Sequence, residues 1–470
     1  MGDVELAEAA AARAQAAARE AAAAAASLEA ALARSRAHAA APLGAAAAAA
    51  RSAPASTSGA PSTGADFVGW CNTLRARVEN NPGAVAAAMQ DGAVKELVAG
   101  VAGKRDDAGA CAAGCAALAA LVTSPVEEAA LVAAGVLDVA LTAAKTHPRS
   151  AEVAQAAARL LAALTIASEH KARAAGAGAI GVLVSLLGAH SAVSAVQEAG
   201  CRALKNLGAS ADNKAKIAAA GGVEAVVNAL RKHPEEAAVQ EAGAGALRNL
   251  AALADNQVKA ASAGGIEAVC AALRQHAASA SVLEASCGAL RNLTVNAANQ
   301  ALAAQAGAIP AVVAALQGHR GHSGVVQQAC GCLWALAVAT PNKAKAAAAG
   351  GVEAVVLALR VHPTSAGVQQ QGCGCLWSVC MEAEAQARAG AAGAIEAVVH
   401  ALRAFPTNAA IQEAGCGALA NIGWSRAELQ QRARGTGAVE LCQAAQRAFP
   451  SHAGVQKYAR LAIGKLSQQD

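Results

Sequence analysis

The pentapeptide Cys-Gly-Cys-Leu-Trp occurs at residues 330–334 and again at residues 373–377. Two cysteines that are one residue apart suggest half of a metal site or a redox pair. On a helix, however, residues i and i+2 point about 200° apart, so a helical Cys-x-Cys does not grip one ion. Six cysteines share one position of a 43-residue period, namely Cys115, Cys201, Cys287, Cys330, Cys373 and Cys416. We therefore predict that the cysteines are small buried apolar side chains and stay reduced.

Histidines recur at the same period, which argues against a single catalytic or metal-binding histidine. Six of them are spaced by 43 residues, namely His147, His190, His233, His276, His319 and His362, and Phe405 takes the next place. We predict a structural role for them at helix C-termini, where donors suit the exposed carbonyl groups. The chain has no phosphate-binding loop, nucleophile elbow or His-Glu-x-x-His motif. We expect no enzyme activity, no cofactor and no metal.

Composition places the chain among all-α proteins. It has 470 residues, of which 55% are hydrophobic and 2% aromatic, and alanine, the best helix former, dominates. The net charge of +5 is too mild and too dispersed to indicate a nucleic-acid partner. Arg19, Glu20 and Glu29 interrupt the N-terminal alanine run, which argues against secretion and membrane insertion. We expect a cytoplasmic monomer, with the nucleus or cilium as other possible locations.

The periodic residues belong to a repeat that extends over residues 92–470. Copies of the segment GGVEAVVNALRKHP start every 43 residues, except that the last copy starts one residue late. The starting residues are Gly92, Gly135, Gly178, Gly221, Gly264, Gly307, Gly350, Gly393 and Gly437. The array is therefore eight full repeats and a truncated ninth. Because no single repeat buries its own apolar stripe, neighbours must stack into a solenoid.

Each repeat is predicted to contain a medium, a long and a short helix. In the copy at residues 221–263, Val223, Val226 and Leu230 form one apolar face of the medium helix. His233-Pro234 ends that helix, and a long helix follows at about residues 236–252. Asp255-Asn256 is interpreted as the N-cap of the short helix.

The segments before the repeats are predicted separately. Residues 67–91 form N-terminal capping helices that cover the last apolar face of the solenoid. Residues 1–41 form an alanine-rich helix, and residues 42–66, which are rich in Ser, Pro, Gly and Thr, form a flexible linker.

The stretches AGAIPAVVAAL at 306–316 and GALRNLA at 245–251 resemble the signature segments of armadillo repeats. The HEAT family is the nearest alternative, but it usually lacks the short helix and the glycine break. The resemblance implies an armadillo-repeat α-solenoid, a right-handed superhelix of three-helix units. It also implies that the long helices line a concave groove, where asparagines bind an extended peptide.

The corresponding positions on the long helices give our candidate protein-binding residues. The asparagine position reads Asn206, Asn249, Asn292, Ala335, Ser378 and Asn421, and the residue before it reads Lys205, Arg248, Arg291, Trp334, Trp377 and Ala420. Arginine and tryptophan often anchor interfaces, although the tryptophans could instead fill gaps between repeats. Four residues before the asparagine position stand Gly245, Gly288, Gly331, Gly374 and Gly417. These glycines serve either close helix packing or a groove floor that is left low for a partner.

These patterns favour a non-catalytic scaffold that binds a peptide or a helix of another protein in the groove. One alternative is a structural component of a cytoskeletal or ciliary assembly, for which residues 1–41 would be a docking element. The other is a membrane-tethered adaptor, which would use Gly2.

Overall fold

The computed structural model describes residues 64–467, and in that range the chain is α-helical with no strand. The predicted helix at residues 1–41 and most of the predicted linker lie outside the described residues. The first helix begins at Gly64, three residues inside the segment that the sequence predicts as linker. The described chain divides into two compact units, residues 64–233 and residues 234–467.

The N-terminal unit contains the two helices of the segment predicted as a cap, followed by three repeats and the medium helix of the fourth. Its helices are α1 Gly64–Val78, α2 Pro82–Gln90, α3 Ala93–Gly103, α4 Ala108–Ala120, α5 Pro125–Ala133, α6 Val136–Thr146, α7 Ala151–Ala163, α8 Ser168–Gly176, α9 Ala179–Ala189, α10 Ser194–Leu207, α11 Ala211–Ala219 and α12 Gly222–Lys232.

The C-terminal unit begins with the long helix of the fourth repeat. Its helices are α13 Ala237–Leu250, α14 Ala254–Ser262, α15 Gly265–Gln275, α16 Ala280–Leu293, α17 Ala297–Gln305, α18 Ala308–Gly318, α19 Ser323–Leu336, α20 Thr340–Ala348, α21 Gly351–Val361, α22 Ala366–Val379, α23 Ala383–Ala392, α24 Ala394–Ala404, α25 Ala409–Ile422, α26 Ala427–Gly435, α27 Ala438–Ala448 and α28 Ala453–Leu466.

Helices of one kind form a layer within each unit. In the C-terminal unit each long helix packs against the next, from α13 through α16, α19, α22 and α25 to α28. The medium helices α15, α18, α21, α24 and α27 form a second row and pack against the long helices of their own repeats. Because alanine is small, the two rows approach closely, and the core between them consists of alanine with valine and leucine. Helical repeats that stack in sequence, as predicted, are therefore present in each unit.

A left-handed glycine begins each medium helix. Gly221 has φ +79° and Gly264 has φ +83°, and the other seven repeat-starting glycines have φ between +75° and +89°. A residue with a Cβ atom is strained at such angles, whereas glycine is not. The glycine break that marks every repeat in the sequence is thus the tight turn from a short helix into the next medium helix.

The periodic histidines follow the medium helices, as predicted, but they bind a different group from the one expected. His276 Nε2 lies 2.7 Å from the carbonyl oxygen of Pro234, and His319 Nε2 lies 2.8 Å from that of Ala277. All six histidines contact the carbonyl 42 residues earlier, in the turn between the medium and long helices of the preceding repeat. Since a carbonyl only accepts, the histidine nitrogen donates. The histidines therefore connect neighbouring repeats.

A buried glutamine binds the C-terminal carbonyls that the sequence analysis assigned to histidine. Gln369 Nε2 donates to the carbonyls of Leu359 and His362, at 2.8 and 2.9 Å. The same pair of bonds is made by Gln197, Gln412 and Gln456 in their own repeats. The hydrogen bonds of this glutamine connect the start of a long helix to the end of the medium helix in the same repeat.

The predicted N-cap at Asp255-Asn256 is wrong. Helix α14 has Leu253 at its N-cap position, without a side-chain bond. Asn256 instead lies inside α14, 2% exposed, and its Nδ2 donates to the carbonyl of Leu250 at 2.9 Å. The amide therefore satisfies a carbonyl at the end of the preceding long helix, which is why it is buried rather than at the surface.

Candidate protein-binding surface

The predicted binding residues of the C-terminal unit form a row along its long helices. Arg248, Arg291, Trp334 and Trp377 occupy the same position on α13, α16, α19 and α22, and each is half-buried. We call these four residues the edge row. Lys205 and Asn206 lie on α10 of the N-terminal unit and are also half-buried.

Each edge-row side chain lies across a glycine of the following long helix. A Cβ atom added at Gly374 would contact the Trp334 ring, and one at Gly417 would lie 2.7 Å from Trp377 Cδ2. The stems of the two arginines occupy the equivalent space. A Cβ atom at Gly288 would lie 2.7 Å from Arg248 Cδ, and one at Gly331 would lie 2.9 Å from Arg291 Cδ. The glycines are thus needed for close packing between repeats, which is one of the two roles considered from the sequence.

Aromatic contacts continue the edge row toward the C-terminus. The ring centroids of Trp334 and Trp377 are 6.4 Å apart, and those of Trp377 and Tyr458 are 4.4 Å apart in an edge-on arrangement. Tyr458 lies on α28 and is 8% exposed. Tyr458 was not predicted from the sequence because it stands at a different position of its repeat from the edge row. The two indoles therefore both fill space between repeats and present part of their surface to solvent.

The asparagines of the predicted ladder bond within the chain. Asn292 Nδ2 donates to the carbonyl of Arg248 at 2.7 Å, and Asn421 Nδ2 donates to that of Trp377 at 2.6 Å. In the N-terminal unit, Asn206 makes the same bond to Ala162 at 2.9 Å. Asn249 is half-buried at the equivalent place on α13. Each such side chain has a second N–H group and a carbonyl oxygen, so an external peptide would have to use those.

The pKa values of Arg248 and Arg291 are both lowered. Burial lowers the pKa of Arg248, whereas the negative charge of Glu284 raises it. The pKa of Arg291 falls to about 10, because the side chain is desolvated and because Arg248 is positively charged. Both guanidinium groups remain cations at neutral pH.

A second row of apolar side chains stands at the repeat position four residues after that of the edge row, and three of its four members are exposed. Val338, Met381 and Trp424 are 44%, 55% and 48% exposed, respectively, and Val295 occupies the same repeat position. We call these four residues the apolar row. The apolar row was not predicted from the sequence, although its spacing of 43 residues was a signal for it. Exposed apolar side chains that recur at one position in successive repeats are candidates for an interaction surface.

Two lysines accompany the apolar row. Lys465 Nζ lies 3.7 Å from the centroid of the Trp424 ring, a cation–π contact. Lys343 Nζ lies 3.0 Å from Met381 Sδ. Burial lowers the pKa of Lys343, and the negative charge of Glu382 partly offsets this decrease.

Glu198 of the N-terminal unit pairs with two exposed arginines of the long-helix layer. Its carboxylate lies 2.6 Å from Arg202 and 3.7 Å from Arg159. Such half-exposed pairs stabilise by about 0–1 kcal/mol. This part of the long-helix layer therefore presents mixed charge.

All thirteen cysteines are buried and unpaired, as predicted for small apolar side chains. Burial raises the pKa of the thiols of Cys201, Cys330 and Cys373 to about 12, so each keeps its proton at neutral pH. Cys332 and Cys375, the second cysteines of the two pentapeptides, also have raised pKa values because of burial. Within residues 66–467 no three His, Cys, Asp or Glu side chains converge on a common point that would hold a metal.

None of the described helices alone has both the length and the apolar composition of a membrane span. Two bent pairs meet those criteria together, α8 with α9 and α17 with α18, each with an angle of 74° between its helices.

Comparison with known proteins identifies an architecture rather than a family. Neither the models of protein families nor the curated proteins include a match. The chain is similar to an engineered protein solved by the Northeast Structural Genomics Consortium, with 26% sequence identity and a TM-score of 0.70, over 87% of this chain and 97% of that one. A second engineered protein from the same consortium is 24% identical, with a TM-score of 0.45, over 52% of this chain and 98% of its own. The first similarity agrees with the helical repeats described above.

Proposed function

We propose that this chain is a non-catalytic scaffold of the armadillo type, which binds another protein along the long helices of its C-terminal unit. Support for the armadillo type comes from the repeat itself, which has a medium, a long and a short helix and begins at a left-handed glycine. The right-handed superhelix implied by the resemblance remains a prediction.

The observation that carries the proposal is that the edge row and the apolar row recur at positions four residues apart in the repeats of one unit. Trp334 and Trp377 are half-buried, which lets them hold a fixed conformation and still offer ring surface to a partner. Met381 and Trp424 extend that surface with side chains that are about half exposed. A surface of rigid aromatic groups bordered by cations is typical of protein interfaces.

A protein partner accounts for these features better than a small ligand does. Each row extends over four successive repeats, whose long helices pack against one another at about 10 Å. A strip of about 30 Å suits a peptide segment or a helix, which are the two common ways in which such grooves are occupied. The internal bonds of Asn292 and Asn421 make side-chain anchoring more important than backbone recognition.

Variants of the apolar row test the proposal without removing core packing. Met381→Ser and Trp424→Ser, made together in the full chain, should abolish capture of those partners that wild type enriches from a native lysate. Capture is measured by quantitative mass spectrometry. The matched control is Leu357→Ser with Val361→Ser, which removes exposed apolar side chains from the medium helix α21. Urea unfolding verifies that both double variants remain folded.

The edge row gives the second arm of the same experiment. Trp334→Ala and Trp377→Ala, each made singly, should weaken capture of the same partners. If both tryptophan variants and the apolar-row variant bind every partner as wild type does, the binding surface lies elsewhere and the proposal fails.

A further inference from the structure

Arg291 is the least compensated charge of the edge row. It is half-buried, and its stem lies against Gly331 of the next long helix. Among the described residues, its guanidinium forms no hydrogen bond and no ion pair. A cation that is partly removed from water and has no counter-charge is held at an electrostatic cost.

The repeat register shows why Arg291 differs from Arg248. Arg248 is affected by the negative charge of Glu284, which stands 36 residues later in the chain. The residue 36 positions after Arg291 is Gln327, which is neutral. A change from glutamate to glutamine in one repeat therefore removes the acid from the neighbourhood of the second arginine.

The surroundings of Arg291 contain a further unsatisfied polar group. Gln371 also reaches Gly331, where an added Cβ atom would lie 2.8 Å from Gln371 Oε1 and 3.0 Å from Arg291 Nε. Gln371 is 4% exposed, and its Oε1 has no hydrogen-bond partner. The side chains over Gly331 thus form a polar cluster with positive charge in excess.

We propose that Arg291 binds a carboxylate side chain of the protein partner, and that this acidic residue sets the register of the partner on the apolar surface. The inference rests on the proposed function and adds the chemistry of the partner. The bound segment of the partner carries Asp or Glu opposite Arg291 and apolar side chains opposite Trp334 and Trp377. A guanidinium donates paired hydrogen bonds to a carboxylate, and the ion pair relieves the uncompensated charge.

Selection from a phage library of random 16-residue peptides tests this chemistry with a defined probe. The full-length wild-type protein should enrich peptides with Asp or Glu at a fixed distance from an aromatic residue or leucine. Selection on Arg291→Gln should lose the preference for the acid and keep the apolar preference. Arg320→Gln is the matched control, since it removes one exposed positive charge elsewhere in the C-terminal unit, and it should select the same peptides as wild type.

Fluorescence anisotropy with one enriched peptide measures the pairing directly. Arg291→Gln should raise the Kd at least about tenfold. Replacing the acid of the peptide by its amide should do the same to wild type and should have no further effect on Arg291→Gln.

The possible failures are distinguishable. Enriched peptides without an acid, whose binding is lost in Trp377→Ala, would overturn the carboxylate inference and leave the proposed function intact. Enriched peptides that bind Arg291→Gln, Trp334→Ala and Trp377→Ala as tightly as wild type would overturn both.

Discussion

The indole of Trp377 lies against the backbone of Gly417 so closely that no Cβ atom fits between them. An added Cβ would be 2.7 to 2.9 Å from three atoms of the ring. Such an approach requires the side chain of one repeat and the glycine of the next to be specified together. The glycine therefore stabilises the stack, although glycine inside a helix costs about 1 kcal/mol relative to alanine.

The first prediction concerns that contact. Gly417→Ala should lower the free energy of unfolding by about 1–2 kcal/mol, because the overlap with Trp377 outweighs the better helix propensity. Gly464→Ala is the control, since Gly464 lies in α28 with no atom near its Cβ position, and it should raise stability by up to about 1 kcal/mol. Urea unfolding followed by circular dichroism measures both.

A double variant makes this prediction sharper. In Trp377→Ala the ring is absent, so adding Gly417→Ala should no longer destabilise the protein. Equal effects of Gly417→Ala with and without the ring would contradict the packing explanation.

The histidine bonds between repeats give the second prediction. His276→Phe should lower the free energy of unfolding by about 1 kcal/mol, because the carbonyl of Pro234 loses its donor. Phenylalanine is chosen because Phe405 and Phe449 occupy the same place in the last two repeats. The control is His400→Phe at an exposed position of α24. A loss no greater than in this control would show that the bond does not stabilise the stack.

The third prediction concerns a buried acid of the N-terminal unit. Glu128 is 1% exposed, and its Oε1 accepts hydrogen bonds from the backbone nitrogens of Ile166 and Ala167 and from His170 Nδ1, at 2.9 to 3.0 Å. Glu128→Ala leaves these donors buried without an acceptor and should cost about 3 kcal/mol.

A neighbouring residue supplies the control for Glu128. Glu127→Ala, one position earlier on α5, removes a less buried carboxylate and should change stability by no more than about 0.5 kcal/mol. Similar losses in the two variants, measured by urea unfolding, would show that the hydrogen bonds of Glu128 are not responsible.

The fourth prediction is a pH dependence caused by buried thiols. The pKa of Cys330 is raised to about 12 by burial, whereas an unfolded cysteine has a pKa of about 8.5. Above about pH 8.5 the unfolded thiol loses its proton and the native thiol keeps it, so unfolding is favoured as pH rises. The stabilising contribution is complete below that pH and falls by about 1.4 kcal/mol per pH unit above it.

Cys330→Ala tests this contribution. The free energy of unfolding is measured in urea at pH 8 and pH 10 for wild type and variant under reducing conditions. The wild type should lose more stability than the variant between the two pH values, by about 2 kcal/mol. The same loss in both proteins would mean that Cys330 ionises alike in the native and unfolded states.

Much of the fold could be predicted from the sequence, because each repeat carries its own local signals. The left-handed glycine, the apolar periodicity and the histidine that follows six of the medium helices all depend on residues within one helix or turn. The N-cap assigned to Asp255-Asn256 failed for the opposite reason. The side chain of Asn256 donates a hydrogen bond to a carbonyl of the preceding long helix. The local sequence pattern does not reveal this contact.

The candidate site was predicted less completely. The edge row was found because its four side chains stand out at one position of the period. Met381 and Trp424 were missed because they lie in the turns after the long helices, and their exposure appears only when those turns are placed. Tyr458 was missed because it stands at a different position of its repeat from the edge row, so the period of 43 residues does not connect it with Trp377.

The sequence by itself determined an all-helical chain with a three-helix repeat of 43 residues and burial of its cysteines. Periodicity and helix propensity are properties of neighbouring residues, so they can be read along the chain. Only the tertiary structure decided that Gly374 and Gly417 receive the tryptophans of the preceding repeats and that no acid among the described residues pairs with Arg291. Those relationships join side chains about 40 residues apart, and their distances depend on how one repeat packs against the next.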